Sequence, residues 1–593
     1  MGCASSTSDD KHQSSPKSPR NYRRRSYAAR HSPHRRRSSR NRSPLERRSP
    51  RLKKSIRNGP LDQDIQVHDV FINEDGMNDS LSKGVSFDNI INRFLQPRNF
   101  EDMEDIINDK NSIFMIKPFK YKQFDHDQEP KPINDENNYV DRWDDDHVRM
   151  PCSPSYMTRN KHRAWPKIQH LLFQLKEKCE NNRVTFKDLK ITIEQCTEHN
   201  YDMKSLERLI NDIYSNEERI SFMLKILPNI CSLALNIDRI CIRPPPLLRI
   251  ESNRSVTMSQ KQAASLLACA FFCLFPYRSD QDKTSEYENF PNPNFNRLYQ
   301  SGSLVKVQKL RCILHYFQRI TEKMPNGVIT VRRFALNRHY FPLWNESNVH
   351  LGDMNLTTNK KIEDVHGALQ LDFANKYIGG GVLGSGCVQE EIRFSICPEM
   401  LVSLLVCEMM EKNECIFLIG CERYSSYKGY ASSFEYAGDY KDDTPKDNWG
   451  RKWCHVVAMD AIFFRDPSIQ YQMKVIEREL LKAYTSFHPL GKGPNYEFPI
   501  VTGNWGCGAF NGDKQLKAII QLMAASETKR SLVYASYGDK NLVNSFSIVY
   551  DYLREERATV RDLYFYLHRY SRSNNQVTLF EYILNTPVAS LRS

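Results

Sequence analysis

The sequence predicts an α/β (α+β) protein in which a helix-flanked sheet follows a helical accessory domain and a disordered basic tail. Three observations predict this organisation. Arg, Ser and Pro dominate residues 1–58. Amphipathic helical patterns fill residues 140–325. Short β-rich runs alternate with helical runs over residues 326–593, which is typical of a sheet covered by helices on both faces.

The N-terminal tail carries the chain's basic charge. Residues 1–58 contain 18 Lys and Arg against 3 Asp and Glu, a net of +15, so the chain's +13 leaves −2 for residues 59–593. With few side chains to bury, this tail should be disordered. It could contact nucleic acid or an anionic membrane, or act as a nuclear import signal. The alternative is a solvated tail phosphorylated at its Ser-Pro steps, which begin at Ser15, Ser18, Ser32, Ser43 and Ser49.

The first residues, "MGCASS", fit the pattern for N-myristoylation of Gly2, with Cys3 as a palmitoylation candidate. A chance match is the competing explanation. An acyl chain next to a polybasic segment can anchor a protein stably. We therefore expect membrane association if Gly2 is myristoylated.

Residues 59–139 are acidic and polar, which predicts a mostly disordered linker with one short docking helix at "FDNIINRFL". The 16 cysteines form no CxxC pair and no Cys/His spacing suited to zinc. We interpret them as reduced thiols of an intracellular protein. The longest near-apolar run, residues 263–275, is too short to cross a bilayer as a helix.

Residues 140–325 read as mainly helical. "WPKIQHLLFQLKEKCENN" and "SNEERISFMLKILPNICSLALNI" repeat apolar residues at helical spacing. In "MSQKQAASLLACAFFCLF", Ser259 and Gln262 form a predicted capping box ahead of an apolar run.

The remaining residues, 326–593, alternate predicted strands and helices. The strands are "GVITVRRFAL", "GALQLDFAN", "ECIFLIG" and "SLVYASYG". The helices are "PEMLVSLLVCEMMEKN", "YQMKVIERELLKAYTSF" and "DKQLKAIIQLMAASE". Ligands of such sheets bind at loops that leave the strand ends.

A glycine loop, "YIGGGVLGSGCVQEEIRF", follows the second of these strands. Its glycines allow a ligand close to the main chain, but the GxGxxG dinucleotide spacing is absent, and a structural turn is the alternative. Glu390 and Glu391 begin a predicted helix. Neighbours on a helix point about 100° apart, so at most one of them is a catalytic acid. A third carboxylate, Asp372, stands at the preceding strand end.

A second glycine loop, "VTGNWGCGAFNGDKQLKAIIQLMA", also leads into a helix, so its backbone N–H groups can bind phosphate oxygens. Asn504 and Phe510 add an amide and a ring. The segment "CERYSSYKGYASSFEY" supplies Tyr427 and Tyr430, which can stack on a base. Tyrosine-rich loops taken alone are usually half-buried surface.

These motifs resemble one known family. "LDFANKYIGGGVLGSGCVQEEIRF" resembles the signature of the poly(ADP-ribose) glycohydrolase family, a triple glycine followed by Gln-Glu-Glu. "VTGNWGCGAFNGD" and "ERYSSYKGYA" are similar to its other two ligand loops, and "SLLACAFFCLFP" to a helix of its accessory domain. The resemblance spans about residues 140–593. It implies a macrodomain-like mixed sheet behind a helical accessory domain.

By motif position, the resemblance implies an acidic triad of Asp372, Glu390 and Glu391, with Glu391 as proton donor. Two positions depart from the family pattern: "KIEDVHGALQ" is one residue short, and Tyr537 stands where phenylalanine is expected. The implied substrate-binding residues are Ile362, Glu363, Asn375, Gly379, Gly380, Gly381, Gln389, Tyr430, Gly503, Asn504, Trp505, Gly506, Cys507, Gly508, Ala509, Phe510 and Tyr537.

The implied reaction is hydrolysis of the O-glycosidic links between ADP-ribose units, with Glu391 protonating the departing ribose oxygen and then deprotonating water. It requires no cofactor and no metal. We expect a monomer that acts on poly(ADP-ribose) on modified proteins, in the nucleus and cytoplasm, in the DNA damage response. The alternatives are a macrodomain that binds ADP-ribose without cutting it and a nucleic-acid protein driven by the tail. The intact triad favours hydrolysis.

Overall fold

The computed structural model describes residues 81–107, 109–120, 129–133, 138–278, 287–489, 491, 497–573 and 576–592. The predicted basic tail, Gly2, Cys3 and the Ser-Pro steps lie outside these residues. Every cysteine in the described ranges is a free thiol. No described helix is both long enough and apolar enough to span a bilayer.

The fold is built on a mixed sheet. Within the described residues it has ten strands in the order β1-β5-β12-β11-β6-β10-β7-β4-β3-β2, and a separate hairpin pairs β8 with β9. The strands are β1 (Ser82–Gly84), β2 (Ser112–Phe114), β3 (Ser255–Ser259), β4 (Val328–Ala335), β5 (Met354–Thr357), β6 (Leu369–Asp372), β7 (Glu414–Ile419), β8 (Ser425–Lys428), β9 (Glu435–Asp439), β10 (His455–Ala458), β11 (Ile500–Gly503) and β12 (Leu532–Ala535).

The centre of the sheet is parallel. Strands β5, β12, β11, β6 and β10 run side by side in one direction, while β7 is antiparallel to β10 and β4 is antiparallel to β7. All residues of these central parallel strands are buried, because helices cover both faces. The carboxyl ends of the five parallel strands therefore meet at one edge, and the loops of the site leave from it.

Helices precede the sheet and cover it. The long predicted helices are present, and Ser259 and Gln262 form the predicted capping box. The helices are α1 (Phe87–Ile91), α2 (Met103–Ile106), α3 (Ala164–Glu180), α4 (Phe186–Thr197), α5 (Lys204–Arg208), α6 (Asn216–Ser221), α7 (Leu227–Leu235), α8 (Ile237–Ile240), α9 (Gln260–Phe271), α10 (Asn296–Tyr299), α11 (Leu304–Glu322), α12 (Gln389–Ile396), α13 (Val402–Val406), α14 (Met473–Phe487), α15 (Lys514–Glu527), α16 (Lys540–Glu555), α17 (Val560–Tyr570), α18 (Leu579–Asn585) and α19 (Ala589–Arg592).

One predicted helix is shorter than its sequence pattern. The run from residue 398 to 413 gives a 3₁₀ turn (Pro398–Leu401) and the five-residue α13. The chain then extends, and the guanidinium of buried Arg333 binds the carbonyl oxygens of Glu408 and Met409. This tertiary contact, which no local pattern reveals, replaces the helical bonding.

The segment before the helical part is attached to the sheet. The sequence predicts one docking helix there, and α1 lies within it; the structure adds β1 and β2, at opposite ends of the sheet. The indole of Trp453 donates to the carbonyl of Phe94 at 2.8 Å, and the indole of Trp449 donates to that of Glu101 at 2.7 Å. Strands of three residues are too short to show a period in the sequence.

Two large apolar cores flank the sheet. One joins the helical part to the glycine-loop side and contains Val382 and Leu383 of that loop together with Leu310 and Ile313 of α11. The other lies under α14 to α18. The helical part therefore packs directly against the segment that carries the predicted acidic residues.

Candidate active site

The first glycine loop leaves the end of β6 and leads into α12. Gly379 and Gly380 have φ values of +85° and +49°, in the left-handed region that favours glycine. A Cβ atom at position 380 would lie 2.5 Å from Glu390 Oε2 and 2.6 Å from Glu391 Oε1. At position 380 the loop has no side chain because two carboxylates occupy the space that a side chain would fill.

Backbone N–H groups hold both carboxylates. Glu390 accepts from Gly379 at 2.6 Å and from Asn375 at 2.9 Å. Glu391 accepts from Gly381 at 2.9 Å and from Val388 at 2.8 Å. Each carboxylate thus has its own pair of N–H donors, as expected for adjacent helix residues that point in different directions.

Asp372, the last residue of β6, completes an acidic cluster. It is fully buried, and neither of its carboxylate oxygens has a hydrogen-bond partner among the described residues. Burial raises the pKa of Asp372 to about 8; Glu391 adds to this rise and Arg393 opposes it. Burial also raises the pKa of Glu390 well above its ordinary value, with further contributions from Asp372 and Glu391. Asp372 therefore retains its proton near neutral pH.

Two amide side chains brace this cluster. The Gln389 amide donates to the carbonyl of Leu371 at 3.0 Å and accepts from the N–H of Phe373 at 2.8 Å, joining the end of β6 to the start of α12. The side-chain oxygen of Asn375 accepts from the N–H of Tyr377 at 3.0 Å. In this structure both predicted substrate-contacting amides bond to the backbone of the site.

Aromatic residues line one side of the acidic cluster. The Tyr430 hydroxyl accepts from the N–H of Gln389 at 3.2 Å, and its ring lies 5.3 Å from that of Tyr537 between centroids. Tyr537 has a φ of +56°, which is rare for a bulky residue and typical of functional sites. Buried Glu363, next to buried Ile362, accepts from the Tyr427 hydroxyl at 2.5 Å. The predicted base-stacking residues Tyr427 and Tyr430 therefore each contact another predicted substrate-binding residue, Glu363 and Tyr537 respectively.

The second glycine loop leaves the end of β11 and is held mainly by neutral groups. The fully buried indole of Trp505 donates to the carbonyl of Met459 at 3.1 Å. The amide of Asn504 donates to the carbonyl of Ser536 at 2.9 Å and accepts from the Tyr534 hydroxyl at 3.0 Å. A Cβ atom at Gly503 would lie 2.2 Å from the carbonyl oxygen of Ala535, so only glycine fits.

The tip of this loop presents backbone N–H groups. Gly508 is exposed, and a Cβ atom there would meet nothing within 4 Å. In the part of the chain that the structure describes, no acceptor is placed for the N–H groups of Gly508, Ala509 and Phe510. Consecutive donors of this kind suit a diphosphate. Burial raises the pKa of Cys507 to about 12, so its thiol stays protonated.

The two loops lie on neighbouring parallel strands. The N–H of Met459 donates to the carbonyl of Asp372 at 3.1 Å, and the Trp505 indole binds the carbonyl of the same Met459. A Cβ atom at Gly503 would lie 3.7 Å from the ring of Phe373. The acidic cluster and the base of the second loop are therefore adjacent. In the ranges described, no group of three His, Cys, Asp or Glu side chains is arranged to hold a metal ion.

Sequence reasoning missed two cations at the site. Arg393 lies one helical turn after Glu390 and opposes the rise in the pKa of Asp372. The spacing of Glu390 and Arg393 in "QEEIRF" could have indicated this cation from the sequence. Lys309 comes from α11 and contacts the first loop. It lies far from that loop in sequence and carries no motif.

Comparisons with known proteins agree with this geometry. Residues 341–544 match the family model described as poly(ADP-ribose) glycohydrolase, macro domain fold, and residues 214–333 match its helical domain. Poly(ADP-ribose) glycohydrolase 1 of Arabidopsis thaliana is 32% identical over 445 residues, 61% of this chain and 80% of the relative. Poly(ADP-ribose) glycohydrolase 1 of Caenorhabditis elegans is 34% identical over 338 residues, 54% of this chain and 41% of the relative. The chain therefore belongs to the poly(ADP-ribose) glycohydrolase family.

Proposed function

We propose that this chain hydrolyses the ribose–ribose O-glycosidic bonds of poly(ADP-ribose) and releases ADP-ribose by general acid–base catalysis. One observation supports the proposal most strongly. In this chain three buried carboxylates lie against the first glycine loop, and the second loop, with N–H groups at its exposed tip, lies next to them. The first arrangement supplies an acid without a metal, and the second binds the diphosphate.

The walls of the site suggest how one ADP-ribose unit is bound. Its adenine would lie between the Tyr430 and Tyr537 rings and the Ile362–Glu363 side, and its diphosphate on residues 503–510. The ribose at the scissile bond would then face Glu391. In support, Tyr430 bonds to the N–H of Gln389, the residue that begins α12 just before the two glutamates.

Glu391 is the residue best placed to be the acid. It is the most exposed of the three cluster carboxylates, at 6% against 2% for Glu390 and 0% for Asp372. In the proposed reaction its proton passes to the departing ribose oxygen as the bond from that oxygen to the anomeric carbon breaks. The resulting carboxylate then takes a proton from the water that adds to the oxocarbenium-like carbon, which restores the acid.

Asp372 and Glu390 would limit the negative charge that the cluster carries. Both are buried beside Glu391, and a second negative charge there is unfavourable in a low-dielectric site. A protein that only reads ADP-ribose has no use for such a cluster. The acidic cluster is thus the feature that favours hydrolysis over binding alone.

We also propose that the enzyme acts as a monomer in the nucleus and cytoplasm, on modified proteins formed in the DNA damage response. In support of the nuclear location, the Arg-rich tail fits a nuclear import signal. Deleting residues 1–58 should lower the nuclear fraction of a fluorescent fusion without changing kcat. If the distribution of the fusion did not change, the tail would not be a nuclear import signal.

The function is tested by incubating the purified full chain with end-labelled poly(ADP-ribose) and separating the products. Hydrolysis at the ribose–ribose bond gives ADP-ribose, whereas cleavage within the diphosphate would give phosphoribosyl-AMP. A polymer that is bound but stays intact would contradict the proposal and would indicate a protein that binds poly(ADP-ribose) without cutting it.

A further inference from the structure

A buried lysine of the helical part reaches into the first glycine loop. Lys309 lies on α11 and is fully buried. Its ammonium group donates to the carbonyl oxygens of Gly386, Gly384 and Gly381 at 2.5, 2.9 and 3.2 Å. All three bonds of this cation therefore go to the loop that precedes Glu390 and Glu391.

The loop is thereby held from both sides. Gly381 donates its N–H to Glu391 and accepts from Lys309 through its carbonyl. Gly386 also accepts from Lys309, and a Cβ atom at Gly386 would lie 2.7 Å from Glu391 Oε1. A displacement on the lysine side would therefore move the groups that fix the catalytic carboxylate.

The lysine is charged under ordinary conditions. Burial lowers the pKa of Lys309 to about 8; Cys387 and Glu391 oppose this change, and Lys306 adds to it. Below that pH its positive charge lies next to the acidic cluster. Three carbonyl oxygens satisfy the three N–H bonds of an ammonium group, so its geometry is fully specified.

We propose that Lys309 is a positioning residue, which fixes the carbonyl side of the glycine loop so that Gly381 holds Glu391 in place for proton transfer. The helical part thus contributes a residue to the active site of the macrodomain-like part. This inference rests on the proposed function, because it assigns Lys309 to the reaction of Glu391.

The test compares two lysines of one helix. Lys306 is also buried on α11, but its ammonium group donates to the carbonyl of Arg297, within the helical part. Lys309→Met and Lys306→Met should both lower Tm. Only Lys309→Met should lower kcat, by ~10²-fold, since small misplacements of a catalytic group have effects of that size. Its Kd for ADP-ribose should stay within about threefold of wild type, because the second loop is untouched.

A kcat for Lys309→Met within about threefold of that for Lys306→Met would overturn the proposal. Should Lys309→Met fail to fold, Lys309→Arg keeps the charge and should retain at least about a tenth of the wild-type kcat. Lys309→Gln should speed amide exchange at residues 379–386 but not at residues 503–510. Equal exchange in wild type and Lys309→Gln would also contradict the proposal.

The exchange measurement separates this inference from the proposed function. If the wild-type chain left poly(ADP-ribose) intact, the function would be wrong, yet selective loosening of residues 379–386 would still show that Lys309 fixes the loop. If the wild-type chain hydrolysed the polymer and Lys309→Gln changed neither kcat nor amide exchange, the proposed function would stand and only the role proposed for Lys309 would be wrong.

Discussion

The two glycine loops lie side by side but are built differently. Ionisable side chains hold the first loop on both sides, with Glu390 and Glu391 on its N–H groups and Lys309 on its carbonyls. The second loop is anchored by the neutral side chains of Trp505 and Asn504. The lysine behind it, Lys517, is paired with Glu479.

This difference separates two uses of a bare backbone. In the first loop the glycines make room for the protein's own carboxylates, and the loop positions an acid. In the second loop the tip glycine leaves room for a ligand, since a Cβ atom at Gly508 would meet no protein atom within 4 Å. The first loop should therefore control the chemical step, and the second should control binding.

The largest expected effect is that of Gly380→Ala. The added methyl group would overlap Glu390 and Glu391, and the φ of +49° disfavours alanine. We expect kcat to fall by at least ~10²-fold with little change in the Kd for ADP-ribose. Steady-state kinetics and calorimetry would measure both quantities. A normal kcat would show that the carboxylates do not need this space.

Gly508→Asp should affect binding instead. The new carboxylate would lie next to the exposed N–H groups of the second loop and repel the diphosphate. We expect Kd for ADP-ribose to rise about tenfold, which corresponds to about 1.4 kcal/mol, with kcat almost unchanged. Gly508→Ala is the matched control and should stay close to wild type. A fall in kcat with a normal Kd would show that the second loop controls the chemical step rather than binding.

The smallest expected effect is a pH-dependent change in stability from Asp372→Asn. Burial raises the folded-state pKa of Asp372 to about 8, whereas the unfolded value is about 3.9. The folded state then binds the extra proton, so wild-type stability falls as pH rises between these values and levels off above about 8.

Asparagine at position 372 does not ionise, so the variant does not lose stability in this way as pH rises. We expect Asp372→Asn to raise Tm by roughly 5 °C at pH 8.5 and by less at pH 5, as measured by calorimetry. A lower Tm for the variant at pH 8.5 would show that the buried carboxylate is stabilised by a partner. The second loop has no equivalent group, so Gly508→Asp should not change the pH dependence.

Local patterns predicted much of this molecule. The capping box at Ser259, the helices α14 and α15, and the position of the first glycine loop at a strand end follow from residues near one another in sequence. Periodicity and caps are sufficient for such features. The resemblance to the poly(ADP-ribose) glycohydrolase family, and not a local pattern, implied that Asp372 and Glu391 lie together.

Features fixed by distant contacts were not predictable. Strands β1 and β2 take their shape from partners more than a hundred residues away. The helix that stops at Val406 does so near the guanidinium of Arg333, and Lys309 reaches the first loop from α11. None of these contacts leaves a local pattern, so a single sequence cannot reveal them.

The most direct test of the central claim is a comparison of kcat and Kd in Glu391→Gln. This variant keeps the shape of the side chain but has no proton to give, so kcat should fall below a hundredth of wild type while ADP-ribose binds with similar Kd. Glu399→Gln is the matched control, because Glu399 is another buried glutamate, bonded to Gln260 and Tyr424, and its kcat should be near normal. Near-normal polymer hydrolysis by Glu391→Gln would contradict the account.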